Sequence, residues 1–280
     1  MPTSTQQPTL ADYENPPVVE SVLGVQFERL RGFKNAHLGA FWNSLDKQEW
    51  PIVFDAPLLA PQFERFNESA KWAKGLQIQL TQDPVCRLQI KNAAGDRMIQ
   101  VQNSRLHFNW IGEAGGGYPR YDKVRDGFAN VLERFRAFVS QADVGDFRPN
   151  QWEVTYINQT PQGTVWNTFA DLEFFQPLRS VPTIENVVEG ESFSGEWHFV
   201  LPERRGRLHV GLQHGLLSEA GDRQLLQLTM TARGPVDSKD DPATAIFEGL
   251  DLGRQTIVQT FVQLMSPDAN KYWGLKNAGS

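Results

Sequence analysis

Side chains whose ordinary titration lies near neutral pH are few in this chain: there are five histidines and a single cysteine. Cys86 has no cysteine to pair with, so neither an intrachain disulfide nor a thiolate metal cluster can form, and no nearby motif marks a base that would activate it. His198 and His209 flank the segment Pro202 to Arg205. A four-residue turn there would set the two imidazoles directly opposite each other, with Phe199 facing Leu208 and Trp197 facing Val210 on the buried side. Such a pair can chelate zinc or copper, but zinc normally takes three or four ligands and no third stands nearby. No metal site is assigned, and the pair reads as pH-sensitive or idle. His37 and His214 have no evident partner. The run Gly115-Gly116-Gly117 precedes a helical pattern, yet no phosphate-loop or dinucleotide fingerprint surrounds it, so it reads as a connection. No nucleophile-elbow, zinc-protease or calcium-loop pattern occurs. The basic cluster Arg204, Arg205 and Arg207 sits at the expected hairpin tip and reads as solvated.

The remaining polar candidates are placed by strands. VVESVLGVQF at 18–27 alternates with Val19, Leu23, Val25 and Phe27 on one face and Glu20 and Gln26 on the other. A meander follows in 85–92, 97–102 and 105–111. A two-residue turn at Asn103-Ser104 sets Val101 opposite Leu106, Ile99 opposite Phe108 and Gln100 opposite His107. A loop over Asn92 to Gly95 sets Leu88 opposite Ile99. The second part repeats the order: a strand at 150–158 with Trp152, Val154 and Tyr156 alternating, an irregular stretch at 164–179, then strands at 192–201, 205–214 and 223–233.

Two long amphipathic helices complete the pattern. One starts at Pro119 and carries Val124, Phe128, Val131, Leu132 and Phe135. The other has Asp241 as N-cap and Pro242 as first residue, with Ile246, Leu250, Ile257 and Phe261 on one stripe. A shorter helix is expected at 35–48, and residues 52–75, interrupted by prolines, fit no element. The chain therefore reads as α+β, in two similar halves, each an antiparallel four-stranded sheet with a long helix, either separate or joined into one eight-stranded sheet. The expected boundaries are a flexible tail at 1–12, halves at 13–147 and 148–266, and a C-terminal tail at 267–280 that docks through Tyr272 and Trp273.

With helices on the apolar face, the other face carries Glu20, Gln26, Gln100, Gln102, His107 and Asn109 from the first half, and His198, His209, Gln213, Gln227, Thr229 and Thr231 from the second. Antiparallel sheets commonly leave such a face wet. The expected function is non-enzymatic binding of a small molecule or protein through this face or the cleft between halves. A hydrolase-like site with Glu20 and His107 as acid and base is the alternative.

Composition supports a folded chain, with 40% hydrophobic and 21% charged residues. The net charge of −6 repels phosphate backbones and argues against nucleic acid as partner. No secretory or membrane-spanning segment is recognisable, so the expected setting is cytoplasmic, away from membranes. No cofactor is implied, and an open sheet could form a homodimer through its edges.

Several segments taken in order, YENPPVVESVLGVQFE, RMIQVQNSRLHFNW followed by YPRYD, VTYIN, LDLGRQTIV and YWG, resemble a sporadically distributed bacterial protein family of uncharacterised function and about this length. The similarity runs from about Tyr13 to Gly274. It implies a single family unit of bacterial type and brings no activity, cofactor or catalytic residue. It marks Asn15, Pro16, Pro17, Glu20, Trp110, Tyr118, Pro119, Tyr121, Tyr156, Asn158, Trp273 and Gly274 as positions that define the fold or its site. Of these, Glu20, Tyr121 and Asn158 are hardest to explain by packing. With Gln100, His107, Asn109, His198 and His209 they make up the candidate ligand-binding set.

Overall fold

A computed structural model describes residues 10–66, 86–115, 117–179, 192–217, 223–236 and 241–276. The elements follow in the order β1 (Asp12–Tyr13), β2 (Val18–Phe27), α1 (Asn35–Ser44), β3 (Ile52–Ala56), β4 (Arg87–Lys91), β5 (Arg97–Gln102), β6 (Arg105–Ile111) and α2 (Tyr121–Gln141). Next come β7 (Pro149–Pro161), 3-10 turns at Phe169–Phe174 and Gln176–Leu178, β8 (Ser194–Val200), β9 (Arg207–Leu217), β10 (Arg223–Pro235), α3 (Pro242–Leu264), α4 (Pro267–Tyr272) and β11 (Leu275–Lys276). Nine strands form one antiparallel sheet in the order β3-β4-β5-β6-β2-β7-β10-β9-β8, so the fold is α+β with a continuous sheet.

The sheet has nine strands rather than eight because Ile52–Ala56 pairs with β4 at the edge. No residue of that strand is buried, and Phe54 is 52% exposed. An edge strand without a buried face has no alternating pattern to announce it. The β5–β6 register matches the expectation from the two-residue turn, and so does the pairing of His198 with His209. The β4–β5 register is shifted by two residues: Leu88 faces Val101, and Ile90 faces Ile99. The cause is Asn92, whose side-chain oxygen accepts from the Arg97 amide while its own amide bonds the Arg97 carbonyl, which moves the loop to residues 93–96. A shift of two preserves the face of every side chain.

Helix α2 begins at Tyr121, two residues after Pro119. Arg120 precedes it with φ of 73°, a conformation disfavoured for a side-chain-bearing residue, and its guanidinium bonds Asp12 Oδ1 at 2.7 Å and the Tyr13 carbonyl at 3.1 Å. That tertiary contact overrides the local proline signal. Helix α3 starts as expected, with the Asp241 carboxylate accepting from the Thr244 amide. Helices α1, α2 and α3 bury one face of the sheet, where Leu23, Val25, Phe27, Ile99, Leu106, Val154, Met230 and Ala232 meet Phe41, Phe128, Phe135, Leu250 and Ile257. Trp152 lies directly under α3, and Gly249 and Gly253 let the helix backbone approach it; a Cβ at 253 would stand 2.8 Å from the indole.

The first and last described strands meet. β1 pairs with β11, the Glu14 and Asn15 amides bond the Gly274 and Trp273 carbonyls, and Trp273 is buried against Phe261. Tyr272, the other aromatic expected to dock, is exposed. Of the N-terminal tail, residues 1–9 lie outside the described residues.

Candidate functional site

Alternation along each strand puts the polar side chains together, and pairing aligns them in rows across the sheet. One row runs Gln100, His107, Gly24, Glu153, Arg233, Arg207. Gly24 is needed in this row because a Cβ there would collide with the His107 ring, which lies over β2 and brings Nε2 to 3.7 Å from Glu153 Oε1. Burial lowers the imidazole to about 4, despite Glu153, so it is neutral at pH 7. Burial works to raise the Glu153 carboxyl, but Arg233, His107 and Arg105 outweigh it and bring it down to about 2. Arg233 Nε donates to Glu153 at 2.7 Å.

The first-half part of this face is not wet, whereas in the second half Gln213 is exposed and Gln227, Thr229 and Thr231 are half-buried. Gln26, Gln100, Gln102, Arg105, His107, Asn109 and Gln151 are all buried. Residues 57–66, from the stretch that fitted no element, cross it. The Leu59 amide donates to Gln102 Oε1 at 3.0 Å while Gln102 Nε2 donates to the Leu59 carbonyl at 2.9 Å. Arg105 reaches the Ala60 carbonyl, the Gln62 amide bonds Gln26 Oε1 at 2.8 Å, and the Glu64 amide bonds Gln151 Oε1 at 3.3 Å. The Glu64 carboxylate is then received by Arg207, by His209 Nε2 at 2.7 Å and by Arg233 Nη1 at 3.4 Å. Burial alone would raise this carboxyl, but His209, Arg207 and Arg233 hold it below its ordinary value. Arg207, read as solvated, is turned inward. Arg204 and Arg205 remain exposed.

The site candidates separate into three places. Glu20, Asn109 and Gln100 form a directed relay: Gln89 donates to Gln100, Gln100 to Asn109 at 3.0 Å, and Asn109 to the Glu20 carboxylate. Burial raises the Glu20 carboxyl, with Asn109 and Lys91 opposing. Glu20 and His107 share the face but face different partners, Asn109 and Glu153, so the acid–base pairing expected of them does not form. His198 Nδ1 and His209 Nδ1 stand 2.8 Å apart, within hydrogen-bond distance. Among the described residues, no three His, Cys, Asp or Glu side chains are grouped to hold a metal ion.

Tyr121 and Asn158 lie on the opposite, helix-covered side. They line a cavity of about 80 Å³ enclosed by Pro16 and Pro17, the start of α2, the middle of β7 and the 254–261 stretch of α3. The Tyr118 and Tyr156 hydroxyls meet there at 3.0 Å. Tyr121 donates to Asp251 at 2.7 Å, and Arg125 clamps the same carboxylate with two nitrogens, which ties α2 to α3. Burial raises all three phenols, so they are neutral hydrogen-bond donors. The Arg254 guanidinium lies 5.1 Å from the Tyr121 ring centre, and its Nε is sealed from solvent with no hydrogen-bond partner among the described residues.

Glu64, Glu153, Arg233 and Arg254 were not singled out from the sequence. Glu153 could have been, because it alternates with Trp152 and Val154 on the strand that carries Tyr156. Glu64 sits in a segment without periodicity, and Arg254 on an ordinary helix, so neither carried a local signal. Compared with protein-family models and with curated proteins, the chain matches none.

Proposed function

We propose that this is a non-enzymatic binding protein that holds the anionic end of a small molecule in the cavity between α2, α3 and the Pro16-Pro17 segment. The observation that carries the reading is Arg254: a buried guanidinium nitrogen left without an acceptor among the described residues costs stability unless something else supplies one. Around it stand aromatic rings and neutral phenolic donors, the mixture of apolar walls and few polar groups expected of a ligand site. The volume is well below the roughly 300 Å³ at which drug-sized sites begin, so it takes a carboxylate and its stem, with the rest of the ligand outside.

Two further points support the reading. Pro16, Pro17, Tyr118, Tyr121, Tyr156 and Asn158, which belong to the motifs of the bacterial family that the sequence resembles, all line this cavity. The chain also reads as two similar halves about the β2–β7 pair, with β2-β6-β5-β4 under α2 and β7-β10-β9-β8 under α3, and the cavity then lies at their seam. Among the described residues no helix is long and apolar enough to cross a membrane.

The test is a thermal-shift series with short aliphatic and aromatic carboxylates at millimolar concentration, beside native mass spectrometry of the gently purified protein. Stabilisation by a carboxylate, abolished in Arg254→Leu, is expected. A wild-type protein that no anion stabilises and that carries no co-purified molecule would sink the proposal.

A further inference from the structure

The polar sheet face is covered in a way that differs from ordinary packing. Residues 57–66 meet it through their main chain and one acid. Side-chain amides on three strands, Gln102 of β5, Gln26 of β2 and Gln151 of β7, contact the Leu59, Gln62 and Glu64 backbones, and Arg207 also bonds the Arg65 carbonyl at 3.3 Å. Its apolar side chains are only partly engaged: Leu58 is 43% and Phe63 51% exposed, while Leu59 and Phe66 are half-buried. Pro57 and Pro61 bias it toward extended backbone. Backbone reading by fixed groups with one side-chain pocket is how proteins recognise extended peptides.

The pocket defines the acid. Glu64 is received by Arg207, Arg233 and His209, and the Arg105 guanidinium and the Glu153 carboxylate belong to the same buried cluster. Buried guanidinium groups demand an anion in this place. Arg207 also lies 4.9 Å from the Phe66 ring centre, so an aromatic two residues after the acid adds to the fit.

We infer that this face is a binding groove for an extended, glutamate-bearing peptide segment of a partner protein, and that residues 57–66 fill it in cis as a stand-in for that segment. The partner segment displaces residues 57–66, places its glutamate against Arg207, Arg233 and His209, and offers main-chain groups to Gln26, Gln102 and Gln151. This site is on the opposite side of the sheet from the cavity, and neither reading depends on the other.

The test uses the full chain carrying Glu64→Gln and a fluorescent synthetic peptide with the sequence of residues 57–66, followed by anisotropy. The variant is expected to bind the peptide at least tenfold more tightly than the unaltered chain, and a peptide with Gln in place of its glutamate is expected to bind at least tenfold more weakly. A folded variant that ignores the peptide, or binds it regardless of its glutamate, overturns the inference. A concentration-dependent dimer of the variant would name a second copy as occupant and overturn the partner assignment. Should the variant not fold, hydrogen exchange on the unaltered chain decides. The Leu59 and Gln62 amides are expected to exchange by local opening, faster when excess peptide is present; exchange only through global unfolding overturns the inference.

Discussion

At His107, Glu153 and Arg254 the neighbours decide what the charge of the side chain does to stability. His107 and Glu153 both have lowered pKa values, to about 4 from 6.5 and about 2 from 4.5. As pH falls from 6.5 to 4, the unfolded chain takes up a proton at His107 that the folded chain refuses. From 4.5 to 2 the same holds at Glu153. Stability therefore drops on acidification through both windows, by on the order of 3 kcal/mol for each group. Denaturant titrations between pH 7 and 4 should record the first loss, and His107→Gln should flatten it; an unchanged slope would mean that His107 is not the group responsible. Arg254 makes the opposite case. Its Nε has no partner to lose among the described residues, so Arg254→Leu should leave the unliganded protein as stable or more stable by about 1 kcal/mol. A large destabilisation in a urea melt would show that the guanidinium already has a structural acceptor.

At the scale of elements, glycine positions decide which partners can touch. Alanine at 249 gains up to about 1 kcal/mol of helix propensity, but its Cβ would stand 2.2 Å from the Trp152 ring. Overpacking should win, for a net loss of about 1–3 kcal/mol and a shifted tryptophan emission. Gly24→Ala should cost a similar amount by forcing His107 off β2, seen as a rise of its pKa toward the ordinary value in an NMR titration. Alternation and turn length made most strands legible: β2, the β5–β6 hairpin and the His198–His209 pairing follow from sequence because burial on one face enforces period two. The Asn92 loop and the start of α2 did not. Each is set by a side chain, that of Asn92 or Arg120, reaching a backbone group or a segment that no local pattern names.

For the whole molecule, the continuous pairing of β2 with β7 joins all nine strands into one sheet, and the helices on it share one core. The chain should therefore unfold as one unit, with near- and far-UV circular dichroism transitions coinciding. Two separated transitions would indicate that the halves are independently stable. The paired first and last described strands belong to the same unit, and Trp273→Ala should cost about 3–5 kcal/mol by emptying the site against Phe261.

By itself the sequence determined the α+β class, the strands with one buried face, the two long helices and the side of the sheet on which polar groups gather. These depend on periodicities of two and 3.6 residues, which any stretch long enough to be half buried must carry. Only the tertiary structure decided that the polar face is covered, that Glu64 lies in its charge cluster, and that Tyr118, Tyr121, Tyr156, Asn158 and Arg254 enclose a cavity. Those facts join residues far apart in the chain, such as Glu64 with Arg233, and an irregular segment held by side-chain amides needs no period of its own.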